Sequence, residues 1–447
     1  MSPLLLKLSS EPRLIWDLLG LPALWAWIDR RHGSLLVAAG VPTLGLLALL
    51  VWPRGRRWLV AVVRHVVIRR RFARAARHAG VVGAEDALPR VRRIVDVPAG
   101  ERMQVRVPHG VDAGALESAS EAIAASMRVR EVRVVRDPAN AAHAWVTVVR
   151  RDPLAVIDPL PCPFLDATAM TLTDPVPVGI DEEGEEVSVS LLWHNMLLGG
   201  ETGSGKSGGL NMLVAASALD PSVRLTLLDG KLVELAVWRR CAEASVGVSV
   251  GDGIDVLRAR QAEMEDRYRF LLEAGKRKVE PGDGLALHVV VVDELAHYLT
   301  AGDRKETAEF ANLLRDLVSR GRAAGIIVLA ATQKPSHDVI PTSLRDLFGF
   351  RWAFRCATPQ ASDTILGSGW ASAGYSATSI DASTRGVGLL LHEGGTPTRM
   401  RAVWLGDEDL VRLATRAEGL RTAGSKQAAV SLELPPLVPS KSTENHS

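Results

Sequence analysis

The apolar residues of this chain follow different spacings along its length. Residues 34–52, SLLVAAGVPTLGLLALLVW, run for 19 positions without a charge. As a helix they extend about 28 Å at ~1.5 Å per residue, close to the thickness of a bilayer's hydrocarbon core. The run predicts a membrane span. Pro42 is tolerable in such a helix. Arg30 and Arg31 flank one end and Arg54, Arg56 and Arg57 the other, with Trp52 and Trp58 at interfacial positions. A buried helix of a soluble core is the alternative, but such helices rarely run this far without a polar face. A cleaved signal peptide fits poorly, because the run starts late and no A-x-A site follows. Residues 14–28, LIWDLLGLPALWAWI, are shorter and contain Asp17; they read as a second span or as an interfacial helix. RWLVAVVRHVVIRRRFARAARHAG is a basic amphipathic stretch, suited to anionic lipid or to an arginine-rich connector. The positive charge lies C-terminal to the span, which puts residues beyond about 55 in the cytoplasm and the protein at the cell membrane.

From Arg92 the pattern shortens to alternating runs. ERMQVRVPHG reads as a strand and turn, DAGALESASEAIAAS as a helix with Asp112 as N-cap, and REVRVVRDP and AWVTVVRRDPL as two more strands. DPLPCPFLDATAMTLTDPVPVG then marks a boundary. The expected organisation is a membrane anchor with a basic juxtamembrane stretch (1–80), a small α/β domain (85–155), a Pro-rich linker (156–178), a larger second domain (179–415) and a disordered tail (421–447).

Composition narrows this little. The 447 residues are 47% hydrophobic and 23% charged with net charge +2, which is globular and balanced. Charge is uneven, however: nine arginines and no acidic residue lie between Arg54 and Arg77. Cys162, Cys241 and Cys356 are far apart and lack zinc-ligand spacing, so reduced thiols are expected.

Candidate chemistry begins at residue 200. Gly200, Glu201, Thr202, Gly203, Ser204, Gly205, Lys206 and Ser207 spell GETGSGKS, a full GxxxxGK[ST] match. An apolar strand, WHNMLLGG, precedes it and a helix, SGGLNMLVAASAL, follows, the setting this phosphate-binding loop requires. Glycines let successive N–H groups turn toward phosphate oxygens, and the helix N-terminus adds positive partial charge. Lys206 is expected on the β and γ phosphates of ATP, and Ser207 on Mg²⁺. LALHVVVVDEL reads as a buried strand ending in Asp293, for Mg²⁺, and Glu294, to polarise the attacking water. A third strand, GIIVLAATQKP, places Gln333 beside the γ-phosphate. The helix EFANLLRDLVSRGRAAG ends in Arg320 and Arg322; either caps that helix or reaches a neighbouring subunit's phosphate. Arg345, Arg351 and Arg355 are candidates for a pore surface or for ordinary solvated positions.

Taken in order, these blocks resemble the motor domain of the FtsK/SpoIIIE family of DNA translocases, over about residues 190–400. The resemblance rests on LLGGETGSGKSGGLN, on LLDGKLVELAVW with Asp229, Lys231 and Glu234, and on LRARQAEMEDRYRFL with Glu263, Met264, Arg267 and Tyr268. It continues through VVVVDEL, RAAGIIVLAATQKPSHDVI and FRCATPQASDTILG, the last with Ser362, Asp363 and Leu366. Two positions depart from the family pattern: Ile327 stands for its His and Lys334 for its Arg. The resemblance implies an α/β, RecA-like P-loop NTPase motor with a mainly parallel sheet, preceded by a small α/β domain and an N-terminal membrane helix segment. It also implies a homohexamer around double-stranded DNA, with Arg322 as the trans-acting finger. No winged-helix reader of DNA sequence is expected after VWLGDEDLVRL, nor a long linker before the motor. In this the chain is similar to the transfer proteins of actinobacterial plasmids and integrative conjugative elements. The expected function is ATP-driven DNA movement in conjugation, with unidentified transfer or division proteins as further partners. Chromosome partitioning and a secretion ATPase acting on protein are the alternatives; a single P-loop weighs against the latter.

Overall fold

The computed structural model describes residues 53–137, 139–155 and 159–431. The expected span at 34–52 and the segment 14–28 lie outside the described residues, as does 432–447. Among the described residues, no helix is long and apolar enough to cross a membrane. The chain divides into two compact units, one ending at Pro153 and the other beginning at Leu154.

The first unit has helix α1 (Pro53–His78), strands β1 (Arg90–Val97) and β2 (Gly100–Arg106), helices α2 (Ala113–Ser118) and α3 (Ser120–Met127), then β3 (Glu131–Arg136) and β4 (His143–Val149). The strands form one antiparallel sheet in the order β1-β2-β4-β3. Asp112 caps α2 as expected, its Oδ1 accepting from the Ala115 amide at 2.8 Å. The single helix read there is in fact two, interrupted at Ala119 (φ −88°, ψ 0°). The basic stretch is not a loose connector. Ile68, Phe72, Ala75 and Ala76 of α1 are buried with Met103, Val105, Ile123 and Val146 in the core of this unit.

In the second unit, a ten-stranded sheet has helices on both faces. Its strands are β5 (Val176–Asp181), β6 (Glu186–Val189), β7 (Met196–Gly199), β8 (Val223–Asp229), β9 (Ala244–Val246), β10 (Leu287–Asp293), β11 (Ile326–Thr332), β12 (Phe350–Phe354), β13 (Val387–His392) and β14 (Thr398–Ala402). The run β12-β7-β11-β10-β8-β9 is parallel throughout, and β13, β14, β5 and β6 extend it antiparallel beyond β12. Val289 and Val291 of β10 join one core while Val290 and Val292 join the other, so the strand is covered on both sides. This is why its sequence is continuous valine rather than alternating. Helices α4 (Lys206–Ala218) and α10 (Asp407–Ser431) cover one face; α5 (Val250–Glu273) and α7 (Arg304–Arg320) cover the other, with the short α6 (Leu295–Thr300) between them in sequence and the short α8 (Thr342–Arg345) and α9 (Pro359–Leu366) following.

Two boundaries differ from the expectation. The segment read as a linker packs on the second unit: Phe164 and Leu172 are buried, and Asp220 accepts from the Leu172 amide at 2.7 Å. Helix α10 continues to Ser431, past residue 421 where a disordered tail was expected to begin. Leu413, Ala414 and Ala417 anchor it in the core, and Arg421 donates to the carbonyls of Ala218 and Val223.

Candidate functional site

Parallel strands side by side end in a row. Gly199 of β7 pairs with Thr332 of β11, and Asp293 of β10 pairs with Asp229 of β8. The order β7-β11-β10-β8 therefore gathers the glycine loop, Thr332–Gln333, Asp293–Glu294 and Asp229 along one sheet edge, at about 4.8 Å per strand.

The loop's shape depends on glycine. Gly203 has φ 77° and Gly205 φ 105°, in the region that side chains with a Cβ resist. A Cβ on Gly205 would meet the Gly386 nitrogen at 2.5 Å, whereas one on Gly203 would meet nothing within 4 Å. The loop is fixed from two sides: the Gly386 amide donates to the Ser204 carbonyl at 2.9 Å, and Glu201 pairs with Arg355 at 2.6 Å. Ser204 Oγ also donates to the Glu201 carbonyl at 2.7 Å.

Lys206 and Ser207 open α4. Lys206 Nζ donates to Asp293 Oδ1 at 3.2 Å, with side-chain exposures of 3% and 0%. Burial pushes the Asp293 carboxyl above its usual range, and the charges of Lys206 and Lys231 oppose that shift. Its Oδ2 has no hydrogen-bond partner. A buried carboxylate oxygen left bare is costly unless a donor or cation completes it, so Asp293 with the Ser207 hydroxyl fits Mg²⁺. Among the described residues no group of three or more acidic, histidine or cysteine side chains could cage a metal. Mg²⁺ needs none, since it binds one or two protein oxygens together with water and substrate phosphates.

Glu294 adopts a left-handed backbone (φ 60°, ψ 63°) at the start of α6, a strained conformation that persists only where neighbours enforce it. They do. Thr332 Oγ1 and the Gln333 amide both donate to Glu294 Oε1 at 3.1 Å, and Lys231 Nζ lies 3.2 Å from Oε2. Gln333 Oε1 in turn accepts from Thr202 Oγ1 at 3.1 Å, which ties β11 to the glycine loop.

Arg322 lies elsewhere. It precedes β11, at the opposite edge of the sheet from Gln333, so a seven-residue strand of roughly 23 Å separates them. There it pairs with Glu393 at 3.4 Å and lines a cavity of ≈ 790 Å³ with Trp193, His194, Lys276 and Lys278. Arg320 is occupied structurally: it lies over the Tyr268 ring at 5.2 Å and pairs with Glu265 at 2.7 Å and Asp316 at 3.2 Å. Arg345, Arg351 and Arg355 do not form an open basic surface. Arg345 is buried on Asp346 and the Asp363 carbonyl, burial lowers the pKa of Arg351, and Arg355 holds Glu201.

Sequence reasoning gave no role to Lys231 or Thr332. Sequence spacing carries no signal for either: Lys231 comes close to Glu294 only because β8 pairs with β10 and sets Asp229 beside Asp293.

Residues 168–288 match the family model for the FtsK/SpoIIIE family. The chain is similar to DNA translocase FtsK 1 of Neisseria meningitidis, 26% identical over 384 residues, covering 76% of this chain and 46% of the relative. It is equally similar to the DNA translocase FtsK of Staphylococcus epidermidis, 26% over 345 residues, covering 72% and 41%. It thus spans less than half the length of these curated relatives. Among solved structures, the pCW3 conjugation coupling protein TcpA, in a monomer form with ATPγS, has the same fold, with a TM-score of 0.52 at 19% identity over 79% of this chain and 99% of that one.

Proposed function

From the match of residues 168–288 to the FtsK/SpoIIIE family model and the likeness to DNA translocases, we propose that the chain is an FtsK-like, membrane-anchored ATPase that moves double-stranded DNA in conjugative transfer. The observation that carries the reading is the Lys206–Asp293 pair with its bare Asp293 Oδ2 beside a preformed glycine loop. A site for a triphosphate with a hard cation needs these groups.

The residues divide the work. The amides of 200–207 and the α4 N-terminus receive phosphate oxygens, and Lys206 exchanges Asp293 for the β and γ phosphates. Ser207 and Asp293 hold Mg²⁺, which when bound neutralises charge developing on the phosphates. Glu294, held by Thr332 and the Gln333 amide, orients and polarises the attacking water. Gln333 bridges that carboxylate to the glycine loop and so senses the γ-phosphate. Arg322 cannot serve its own chain's nucleotide from the far sheet edge; that position supports a role in trans, in a ring of six copies. The order β12-β7-β11-β10-β8, with one strand between the loop strand and the Asp293 strand, supports a RecA-like motor.

Support for conjugation is the likeness to a conjugation coupling protein, and for DNA the curated relatives named as DNA translocases. For the membrane it is the 34–52 run, together with exposed Val60, Val63 and Val67 among the arginines of α1. ATP turnover measured with and without long double-stranded DNA, with displacement of a bound third strand as the movement readout, tests the reading. Stimulation with displacement is expected. Turnover indifferent to DNA would overturn it and turn attention to protein substrates.

A further inference from the structure

We infer that Lys231 is a positioning residue for Glu294: its ammonium fixes the second oxygen of the carboxylate that polarises the attacking water. This rests on the hydrolytic reading above. Glu294 Oε1 is held from the β11 side by Thr332 Oγ1 and the Gln333 amide, both at 3.1 Å. Those two bonds leave the carboxylate free to swing about Oε1. Lys231 Nζ, 3.2 Å from Oε2, removes that freedom from the opposite side. A carboxylate offers about four acceptor positions; the two hydrogen bonds occupy Oε1, and the Lys231 ion pair steers Oε2 without a formed hydrogen bond, which leaves that oxygen open to water.

The cation stands on a rigid support. Asp229, fully buried at the end of β8, accepts from the Lys231 amide at 3.1 Å and from the Leu235 amide at 3.0 Å. The turn between them includes Leu232 at φ 69°. Its outer side chains face solvent, with Leu232 48% and Val233 74% exposed. Displacing this turn would withdraw the ammonium from Glu294 without touching the glycine loop. Lys231 is thereby a point through which contact at the surface changes hydrolysis and leaves nucleotide binding alone.

The test uses the full chain with Lys231→Met and Lys231→Arg. Turnover at saturating ATP should fall about 10- to 100-fold in Lys231→Met, part of the roughly 10²–10⁴-fold that a positioned base contributes. KM, and affinity for a fluorescent ATP analogue, should stay within about threefold, and Lys231→Arg should recover most of the loss, since both side chains carry a cation. A merely structural role would lower affinity along with turnover, and that result overturns the inference, as does turnover within twofold of wild type. A second measurement is independent of activity. Reductive methylation of Lys231, followed by mass spectrometry, should be at least about threefold faster in Glu294→Gln than in wild type, because loss of the ion pair frees the side chain to turn toward solvent. Lys305 labelling serves as the reference and should not change. Equal Lys231 labelling in the two proteins overturns the pair. A wild type that hydrolyses no ATP with or without DNA refutes the hydrolytic reading, and the labelling then decides the Lys231–Glu294 contact alone.

Discussion

Replacing Lys206 by Met tests more than catalysis, because the side chain is part of a buried ion pair. Lys206 is 3% and Asp293 0% exposed, and Asp293 Oδ2 has no other partner. Removing one member of a buried pair costs about 3–5 kcal/mol, since the survivor keeps its desolvation penalty. Lys231 lies close enough to offset part of the charge, and a carboxyl already shifted upward by burial can take up a proton. Both put the expected cost near the low end, about 3 kcal/mol, or roughly 6–12 °C in Tm for a unit of this size. Adding Asp293→Asn removes the stranded charge and should recover about half, leaving the double variant ~1.5 kcal/mol below wild type and well above the sum of the two single effects. Thermal unfolding of wild type, both single variants and the double variant, without nucleotide, measures the cycle. Mg-ATP at a hundred times its dissociation constant should add about 2.7 kcal/mol to wild type and nothing to Lys206→Met. Additive single effects, or a Lys206→Met midpoint within a degree of wild type, would refute the buried pair.

Gly205→Ala should abolish nucleotide binding and cost about 2 kcal/mol, because φ 105° and the Gly386 backbone at 2.5 Å both exclude a Cβ; Gly203→Ala, with open space, should cost about 1 kcal/mol and retain binding by fluorescent-nucleotide titration. In the Glu263 cluster, burial disfavours the charge but the neighbouring His288 ring and the Arg267 and Arg224 cations outweigh it, holding the carboxyl at about 2. Because the folded value lies below the unfolded one of 4.5, this stabilisation of about 3 kcal/mol is present above pH 4.5 and is lost as pH falls from there toward 2. The urea-midpoint gap between wild type and Glu263→Gln should therefore shrink below pH 4, and a constant gap would refute it. Arg322→Ala should lower turnover about 10³-fold, and mixing it with Lys206→Ala chains should restore at least about a tenth of wild-type rate; two inactive pools staying inactive would exclude action in trans.

The parts of the site legible in the sequence are those written locally. A glycine loop between strand and helix, and a carboxylate pair after four valines, announce themselves because phosphate binding and double-sided burial each demand a residue pattern. The Glu294 clamp is different: Thr332 and Lys231 lie 38 residues after it and 63 before it, and only strand order brings them together. Strand β1, RVRRIVDV, was hidden because arginines occupy its solvent positions and blur the alternation. The antiparallel strands beyond β12 went unread for a similar reason, since pairing between β14 and β5 joins residues more than 200 apart. Arg345 misled because side-chain charge says nothing of burial, and this one is capped by Asp346 and a backbone carbonyl.

Strand β11 runs from near Arg322 to the glycine-loop end of the sheet. All seven of its residues, Ile326–Thr332, are buried, and its neighbours β7 and β10 hold it on either side in parallel register. At one end it delivers Thr332 and Gln333 to the carboxylate and the glycine loop; at the other it begins a few residues after Arg322. A strand gripped this way hardly stretches or bends, so it acts as a push-rod. On the proposal that such units form a ring with Arg322 acting in trans, a small shift at one nucleotide would be carried along this strand to the arginine presented to the next. Timing between neighbours would then need no moving lid or hinge, only axial play of a fraction of an ångström in a single strand.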